Sequence, residues 1–179
     1  MRELASKLGF VVWITGIPSS GKTSTTQALV RRLSQKGVRV EILESDALRR
    51  RLTPSPTYTN EERDLFYRAV VVLAETLARN GVNVIIDATA NRRHFRDMAR
   101  HLIPNYSEIY VKCPIEVAEK RDSKGLYKKA KEGIIKTLPG PQEKYEPPLN
   151  PEVTIESDKL TPEESADLIL KIIGNRLPQ

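Results

Sequence analysis

FVVWITGIPSSGKT, residues 10–23, joins an apolar run to a glycine-rich turn. Its first six residues are apolar or β-branched and have the length of a buried strand. Gly16 and Gly21 follow in the spacing G-x-x-x-x-G-K-[ST], which ends on Lys22 and Thr23. The glycines let the backbone curl so that successive N–H groups point inward at phosphate oxygens. The stretch therefore predicts a phosphate-binding loop between the first strand and the first helix.

The residue types in this loop suit a nucleoside triphosphate. Lys22 is a candidate catalytic residue because it brings a positive charge to the β- and γ-phosphates, and Thr23 offers a hydroxyl to Mg²⁺. The helix that follows directs the positive end of its dipole at the same anion. The residues predicted to bind the triphosphate are Gly16, Ile17, Pro18, Ser19, Ser20, Gly21, Lys22 and Thr23.

Four more apolar runs of strand length follow, separated by helical patterns. They are VRVEIL, VNVIID, SEIYVK and EVTIES, at residues 38–43, 82–87, 107–112 and 152–157. Helices are predicted over 23–37, over 60–81 opening on Asn60, and after Thr161, where TPEE has the pattern of a capping box. Crossovers of this length imply parallel strands covered on both faces. We expect an α/β, three-layer P-loop NTPase fold with a mostly parallel central sheet flanked by helices, in one domain spanning 1–179.

Composition restricts the possible partners. The 179 residues carry a formal net charge of +6, and the basic residues concentrate between 120 and 136, which indicates a solvated helix face or a partner rich in phosphate or sulfate. Aromatic residues are 6% of the chain and few lie among the basic ones, so no nucleic-acid partner is expected. Cys113 is the single cysteine, which favours a reducing compartment. With no long apolar run and no cleavage site, we expect a cytoplasmic protein without a membrane partner.

Two aspartates lie where predicted strands end. Asp46 comes shortly after VRVEIL, and Asp87 ends VNVIID. Ligands of open α/β sheets bind beyond the carboxyl ends of the strands, so either carboxylate could accept a hydroxyl proton or hold Mg²⁺. Asp46 could instead only cap the helix predicted over ALRRRL. No N-K-x-D guanine-reading segment occurs, which excludes a switch GTPase and favours a kinase.

Four downstream stretches resemble the adenylyl-sulfate kinases, which transfer the γ-phosphate of ATP to the 3'-hydroxyl of adenosine 5'-phosphosulfate. They are LESDALRRRL (43–52), YTNEERDLFYR (58–68), RDSKGLYKKAKEGIIK (121–136) and KYEPPLNPE (144–152). The resemblance runs from the phosphate loop to about residue 157. It implies ATP and Mg²⁺ as cofactors, adenylyl sulfate as acceptor, the second step of sulfate activation, a possible homodimer and a mobile lid over about 120–150.

Several residues of the family's motifs have a counterpart in this sequence. Its D-G-D-N-x-R pattern retains Asp46, the candidate base or hydroxyl orienter, and Arg49. Tyr58 stands where a phenylalanine stacks on the acceptor's adenine, and Arg63 where an arginine reaches its anionic end. Two further matches are implied to bind substrate: Arg68 within the second stretch and Lys124 at the start of the lid.

The positions at which this sequence departs from the family pattern all lie where the acceptor is expected to bind. Ala90 stands where relatives have a phosphorylated serine, so a phosphoserine intermediate is impossible and direct in-line transfer is expected. Asp87 is foreign to the family pattern but typical of other small-molecule P-loop kinases, where it helps to hold Mg²⁺ or the acceptor. Pro139 replaces a threonine. Two alternatives therefore stay open, a kinase for another small acceptor such as a nucleoside or sugar acid, and a nucleotide-binding regulatory module.

Overall fold

The computed structural model describes residues 8–174, within which five strands and seven helices alternate. The strands are β1 (Val11–Thr15), β2 (Glu41–Glu44), β3 (Val84–Asp87), β4 (Tyr106–Lys112) and β5 (Val153–Glu156). The helices are α1 (Lys22–Gln35), α2 (Ser45–Leu52), α3 (Asn60–Arg79), α4 (Arg93–Leu102), α5 (Ile115–Lys120), α6 (Leu126–Lys131) and α7 (Pro162–Ile173). None of the helices within residues 8–174 has the length and apolar character that a bilayer crossing requires.

The strands form one parallel sheet in the order β2-β3-β1-β4-β5. Central β1 is buried along its whole length. Because side chains alternate along a strand, Val11 and Trp13 pack on one face of the sheet, and Val12 and Ile14 on the other. The predicted parallel sheet with helices on both faces is confirmed.

The two faces carry different helices, and this positions the site. Apolar residues of α3 and α4 cover the face of Trp13, while those of α1 and α7 cover the face of Ile14. Strands β1 and β3 are neighbours, yet the helices that follow them, α1 and α4, pack on opposite faces. Such a reversal opens a crevice at the carboxyl ends of the strands, which is where α/β proteins bind ligands.

Side chains of β1 anchor the segment that follows β3 at this edge. The indole Nε1 of Trp13 donates to the Ala88 carbonyl oxygen at 3.1 Å. Thr15 Oγ1 donates to the Thr89 carbonyl oxygen at 2.6 Å. These contacts fix the backbone beside the phosphate loop.

One strand boundary differs from its prediction. The second strand begins at Glu41 rather than residue 38, because within residues 8–174 it pairs with β3 alone and the paired register starts at Glu41 opposite Val84. Helix α3 begins at Asn60, as expected, and its N-cap is Thr59, whose side chain accepts from the Glu62 N–H. The capping box predicted at Thr161 is confirmed.

Candidate active site

The loop between β1 and α1 takes the curled backbone that its glycines allow. Gly16 has φ 155° and Gly21 has φ 101°. A Cβ at Gly16 would lie 2.4 Å from the Val111 carbonyl oxygen, closer than any real side chain approaches. Gly21 precedes α1 in the left-handed region, where L side chains are strained. Both glycines are therefore required by the path of the chain.

Lys22, Thr23 and Asp87 meet at the base of this loop. Lys22 Nζ donates to the carbonyl oxygens of Gly16 (3.1 Å) and Ile17 (2.9 Å), and Thr23 Oγ1 donates to Asp87 Oδ2 at 2.9 Å. Burial lowers the pKa of the Lys22 ammonium, while the Asp87 carboxylate opposes that change. Burial also raises the pKa of the Asp87 carboxyl, and Lys22 and Thr23 counter part of the rise. Thr23 and Asp87 offer the oxygen donors that a hard divalent cation prefers.

A cavity of about 590 Å³, the phosphate-loop cavity, lies in front of these residues. Besides the loop it is lined by the start of α2 and by Arg121, whose Nη2 donates to the Ser157 carbonyl oxygen at 2.9 Å. The lining residues are Pro18, Ser19, Gly21, Lys22, Thr23, Ser24, Gln27, Glu44, Ser45, Asp46, Asp87, Thr89, Arg121, Ser123, Lys124 and Leu126.

A second cavity of about 390 Å³, the arginine cavity, adjoins the first. Its walls combine cationic, aromatic and apolar side chains from α2, α3 and the segment after α6. The lining residues are Pro18, Ser45, Asp46, Arg49, Arg50, Thr53, Pro54, Pro56, Tyr58, Arg63, Tyr67, Thr89, Lys124, Leu126, Ile135, Thr137, Leu138 and Pro139.

Arg49 is held in the arginine cavity by stacking and by one ion pair. Its guanidinium carbon lies 3.9 Å from the centroid of the Phe66 ring and 5.0 Å from that of Tyr58. Its Nη1 donates to Glu62 Oε1 at 3.1 Å. A guanidinium has five N–H donors, so most of those on Arg49 remain for a ligand.

Arg63 is more fully engaged with the protein. Its Nε donates to the Tyr58 carbonyl oxygen (3.0 Å), and its two terminal nitrogens reach Asn91 Oδ1 (3.3 Å), the Thr137 carbonyl oxygen (3.0 Å) and Glu143 Oε2 (3.3 Å). Tyr58 has φ 56°, which is strained for a residue other than glycine. Arg63 thus fixes the backbone that presents the Tyr58 ring to the cavity.

The two cavities meet at Asp46 and Lys124. Asp46 Oδ2 accepts from Lys124 Nζ at 2.6 Å, and this hydrogen bond raises the pKa of Lys124. Asp46 lies in the first turn of α2, whose N-cap is Glu44 without a side-chain hydrogen bond, so the capping interpretation of Asp46 is wrong. Six residues line both cavities: Pro18, Ser45, Asp46, Thr89, Lys124 and Leu126.

Arg68 does not join this group. The inward face of α3 carries Arg63, Tyr67 and Val70, while the Arg68 side chain is 65% exposed and lies 4.0 Å from Asp64. The structure therefore does not support the expectation that Arg68 contacts the substrate.

The cavity-lining residues that sequence reasoning did not select include Ser45, Thr89 and Arg121. Arg121 is the first residue of RDSKGLYKKAKEGIIK, one of the four stretches that resemble the family, so this resemblance could have identified it. Thr89 lies two positions after Asp87, the last residue of β3. The tendency of ligands to bind past strand ends could have found it.

Comparison with known proteins identifies close relatives of this chain. The family model described as adenylylsulphate kinase matches residues 8–156. A probable adenylyl-sulfate kinase from Archaeoglobus fulgidus is 45% identical over 152 residues, 85% of this chain and 98% of the relative. The adenylyl-sulfate kinase of Rippkaea orientalis is 42% identical over 161 residues, 90% of this chain and 89% of the relative.

Solved structures agree with the sequence relatives. The Mycobacterium tuberculosis APS kinase CysC, solved in complex with AMPPNP and APS, superposes with a TM-score of 0.87 at 29% identity. The alignment covers 93% of this chain and 98% of that one. The family match spans both cavities and the ion pair at which they meet, so this chain belongs to the adenylylsulphate kinase family.

Proposed function

We propose that this protein transfers the γ-phosphate of ATP to the 3'-hydroxyl of adenylyl sulfate, giving 3'-phosphoadenylyl sulfate and ADP. The observation that carries this proposal is the junction of two cavities at Asp46 and Lys124. One cavity is built on a triphosphate-binding loop and the other on arginines and an aromatic ring. A phosphoryl donor and an anionic nucleotide acceptor placed in them would meet end to end.

The arginine cavity suits the charge and shape of adenylyl sulfate. Arg49 and Arg63 are both buried, and buried guanidinium groups bind sulfate or phosphate oxygens strongly because the site excludes water. Tyr58 is 40% exposed and offers a ring on which an adenine can stack. A nucleoside or neutral sugar brings no anionic group to the N–H donors that Arg49 leaves free, which disfavours such acceptors.

The transfer step needs a base, an oriented hydroxyl and a stabilised phosphoryl group. Asp46 accepts the proton of the acceptor's 3'-hydroxyl while the oxygen of that hydroxyl forms a bond to the γ-phosphorus. The bond from that phosphorus to the bridging oxygen of ADP breaks at the same time. Lys22 and Lys124 offset the negative charge on the transferring group. Transfer is direct because Ala90, buried beside the site, has no hydroxyl to phosphorylate.

Mg²⁺ is the proposed metal, and the residues present fit it. Thr23 and Asp87 provide two oxygen donors 2.9 Å apart beside Lys22. Within residues 8–174 there is no group of three or more His, Cys, Asp or Glu residues that could hold an ion. This suits Mg²⁺, which commonly takes one or two protein oxygens and completes its shell with phosphates and water. When bound it would neutralise charge on the β- and γ-phosphates.

A homodimer and a cytoplasmic location complete the proposal. Leu65, Val72 and Leu73 are exposed on the outer face of α3, and exposed apolar residues on one helix face favour association. Light scattering that gives the mass of a single chain would contradict the dimer. The cytoplasm is proposed because ATP is available there.

The decisive assay compares acceptors under identical conditions. ATP-dependent ADP release is measured with adenylyl sulfate, with a panel of nucleosides and with a sugar acid. We expect kcat/KM for adenylyl sulfate to exceed the others by about 100-fold or more, because only this acceptor brings both an adenine ring and anionic oxygens to the arginine cavity. Preference for a nucleoside or sugar acid would favour the alternative raised by Asp87 and Ala90, and ATP binding without any turnover would favour the regulatory module.

A further inference from the structure

Helix α6 is too short to hold its own position. It spans six residues, and an isolated helix of that length is unstable in water. Its start is fixed by Asp122, whose carboxylate accepts from the N–H groups of Leu126 (2.8 Å), Tyr127 (2.8 Å) and Lys128 (3.2 Å). Its placement over the cavities must come from contacts with the rest of the protein.

Tyr127 supplies one such contact, and it reaches the phosphate loop. The side chain is buried, and its hydroxyl donates to the Pro18 carbonyl oxygen at 2.9 Å, across 109 positions of sequence. Burial raises the pKa of this hydroxyl well above its ordinary value, so it stays protonated and remains a donor.

The hydrogen bond orients a peptide group of the loop. In a trans peptide the carbonyl and the following N–H point in opposite directions, so a Pro18 carbonyl that faces Tyr127 turns the Ser19 N–H to the other side. Ser19 lines the phosphate-loop cavity and Tyr127 does not, which favours this cavity as the side that the N–H faces. Among residues 8–174, no protein acceptor takes the Ser19 N–H. It is therefore left for an anion.

Apolar packing reinforces the same link. Ile17 of the phosphate loop forms a small cluster with Ala118, Tyr127 and Leu138. Leu138 lines the arginine cavity, and Leu126, next to Tyr127, lines both cavities. Ile17 of the phosphate loop thus packs against the segment that lines the arginine cavity.

We propose that Tyr127 is a positioning residue that acts through the Pro18–Ser19 peptide. Its hydroxyl aims the Ser19 N–H at the triphosphate and ties α6 to the phosphate loop, so nucleotide binding and acceptor binding favour each other. The second half of this inference rests on the proposed function, because it needs adenylyl sulfate as the acceptor. The first half needs only nucleotide binding.

The test uses Tyr127→Phe, which removes one oxygen and keeps the ring in its cluster. Tyr106→Phe is the matched control, since Tyr106 is also buried but lines neither cavity. Calorimetry with Mg²⁺ gives the Kd of AMPPNP, and the Kd of adenylyl sulfate with and without AMPPNP gives a coupling factor. The same factor must be found when the order of addition is reversed.

We expect Tyr127→Phe to weaken AMPPNP binding about fivefold, the worth of one buried hydrogen bond, and to lower the coupling factor toward one. Tyr106→Phe should change neither quantity. An unchanged AMPPNP Kd and coupling factor in Tyr127→Phe would overturn the proposal, as would a wild-type coupling factor of one. If adenylyl sulfate fails to bind at all, the proposed function fails, while the AMPPNP result still decides the role of Tyr127.

Tryptic cleavage after the lysines of α6 gives a second measurement. AMPPNP should slow cleavage at Lys128, Lys129 and Lys131 in the wild type, and by a clearly smaller factor in Tyr127→Phe. Equal slowing in both proteins would count against the link, even if the variant is somewhat less stable.

Discussion

At the residue scale, Asp46 and Lys124 have the most consequential positions. They lie 78 positions apart in sequence, yet their side chains form a 2.6 Å ion pair where the cavities meet. Both side chains are more than half exposed, so each can exchange this partner for a ligand at little cost. The geometry permits Lys124 to move to a phosphoryl oxygen while Asp46 turns to the acceptor's hydroxyl.

Asp46→Asn tests the role of this carboxylate as a base. The amide keeps the size of the side chain but cannot accept the hydroxyl proton, so kcat should fall by about 10²- to 10⁴-fold. The Kd of AMPPNP should change little. Asp64→Asn on the outer surface of α3 is the control and should retain full activity. Wild-type kcat in Asp46→Asn would remove the assignment.

Asp87→Asn tests the metal site. The amide can still accept the hydrogen bond from Thr23 but is a poor ligand for Mg²⁺, so activity should fall and require much higher Mg²⁺ concentrations. The thermal midpoint without ligand should not fall, because the raised pKa of Asp87 means that its buried charge disfavours the folded state. A Mg²⁺ titration of activity that matches the wild type would contradict this role.

Individual residues were predictable where a local pattern constrained them. The phosphate loop required Gly16, Gly21, Lys22 and Thr23 in a fixed spacing, and the structure places them together. The partners of Arg63 could not be foreseen, because Asn91, Thr137 and Glu143 belong to three segments far along the chain. Only the tertiary fold brings those acceptors to one guanidinium.

At the element scale, ion pairs fasten the irregular segment before β5 onto α4 and β4. Arg96 is fully buried, and its Nε donates to Glu108 Oε1 at 2.6 Å while its Nη2 donates to the Glu146 carbonyl oxygen at 2.5 Å. Arg100 Nη1 donates to Glu152 Oε1 at 2.6 Å. Such contacts keep a proline-rich segment in one conformation beside the site.

Glu152→Gln should make the free energy of unfolding depend less on pH in the acid range. Burial works to raise the pKa of Glu152, but hydrogen bonds from Arg100 and the Glu108 N–H outweigh it and hold the pKa below its ordinary 4.5. A lowered carboxyl pKa stabilises the fold above pH 4.5, and that stability is lost as the pH falls through the folded-state pKa. At pH 7 we expect a loss of about 1 kcal/mol, or about 2–4 °C in Tm.

The same difference in Tm should shrink as the pH falls from 4.5 through the lower folded-state pKa of Glu152, where the carboxylate becomes protonated in the folded protein. Glu163→Gln, which breaks an exposed ion pair with Arg31, is the control and should shift Tm far less at any pH. A Tm difference for Glu152→Gln that is constant from pH 3 to 7 would contradict the proposed cause.

The longest helix and the central strand were predictable from local patterns. The 20-residue α3 shows its helical period clearly, and β1 shows a continuous apolar run. Helices α5 and α6 have six residues each, too few turns for a period to emerge. Their positions depend on contacts such as the one between Tyr127 and Pro18.

At the scale of the whole molecule, alternating strands and helices predicted a parallel three-layer architecture, but not the strand order. The order β2-β3-β1-β4-β5 depends on which strands pair across long connections, and no local pattern encodes it. That order places the end of β3 beside the end of β1, and so Asp87 beside Thr23. The active site is therefore a consequence of topology as much as of motifs.

The most direct test of the account is a crystal structure of the protein with Mg²⁺, AMPPNP and adenylyl sulfate. We predict that the triphosphate lies along residues 16–23, that the acceptor's adenine contacts Tyr58, and that its 3'-oxygen lies within hydrogen-bond distance of Asp46, facing the γ-phosphorus. Adenylyl sulfate bound outside the arginine cavity, or with its 3'-oxygen turned away from Asp46 and the γ-phosphate, would contradict the account.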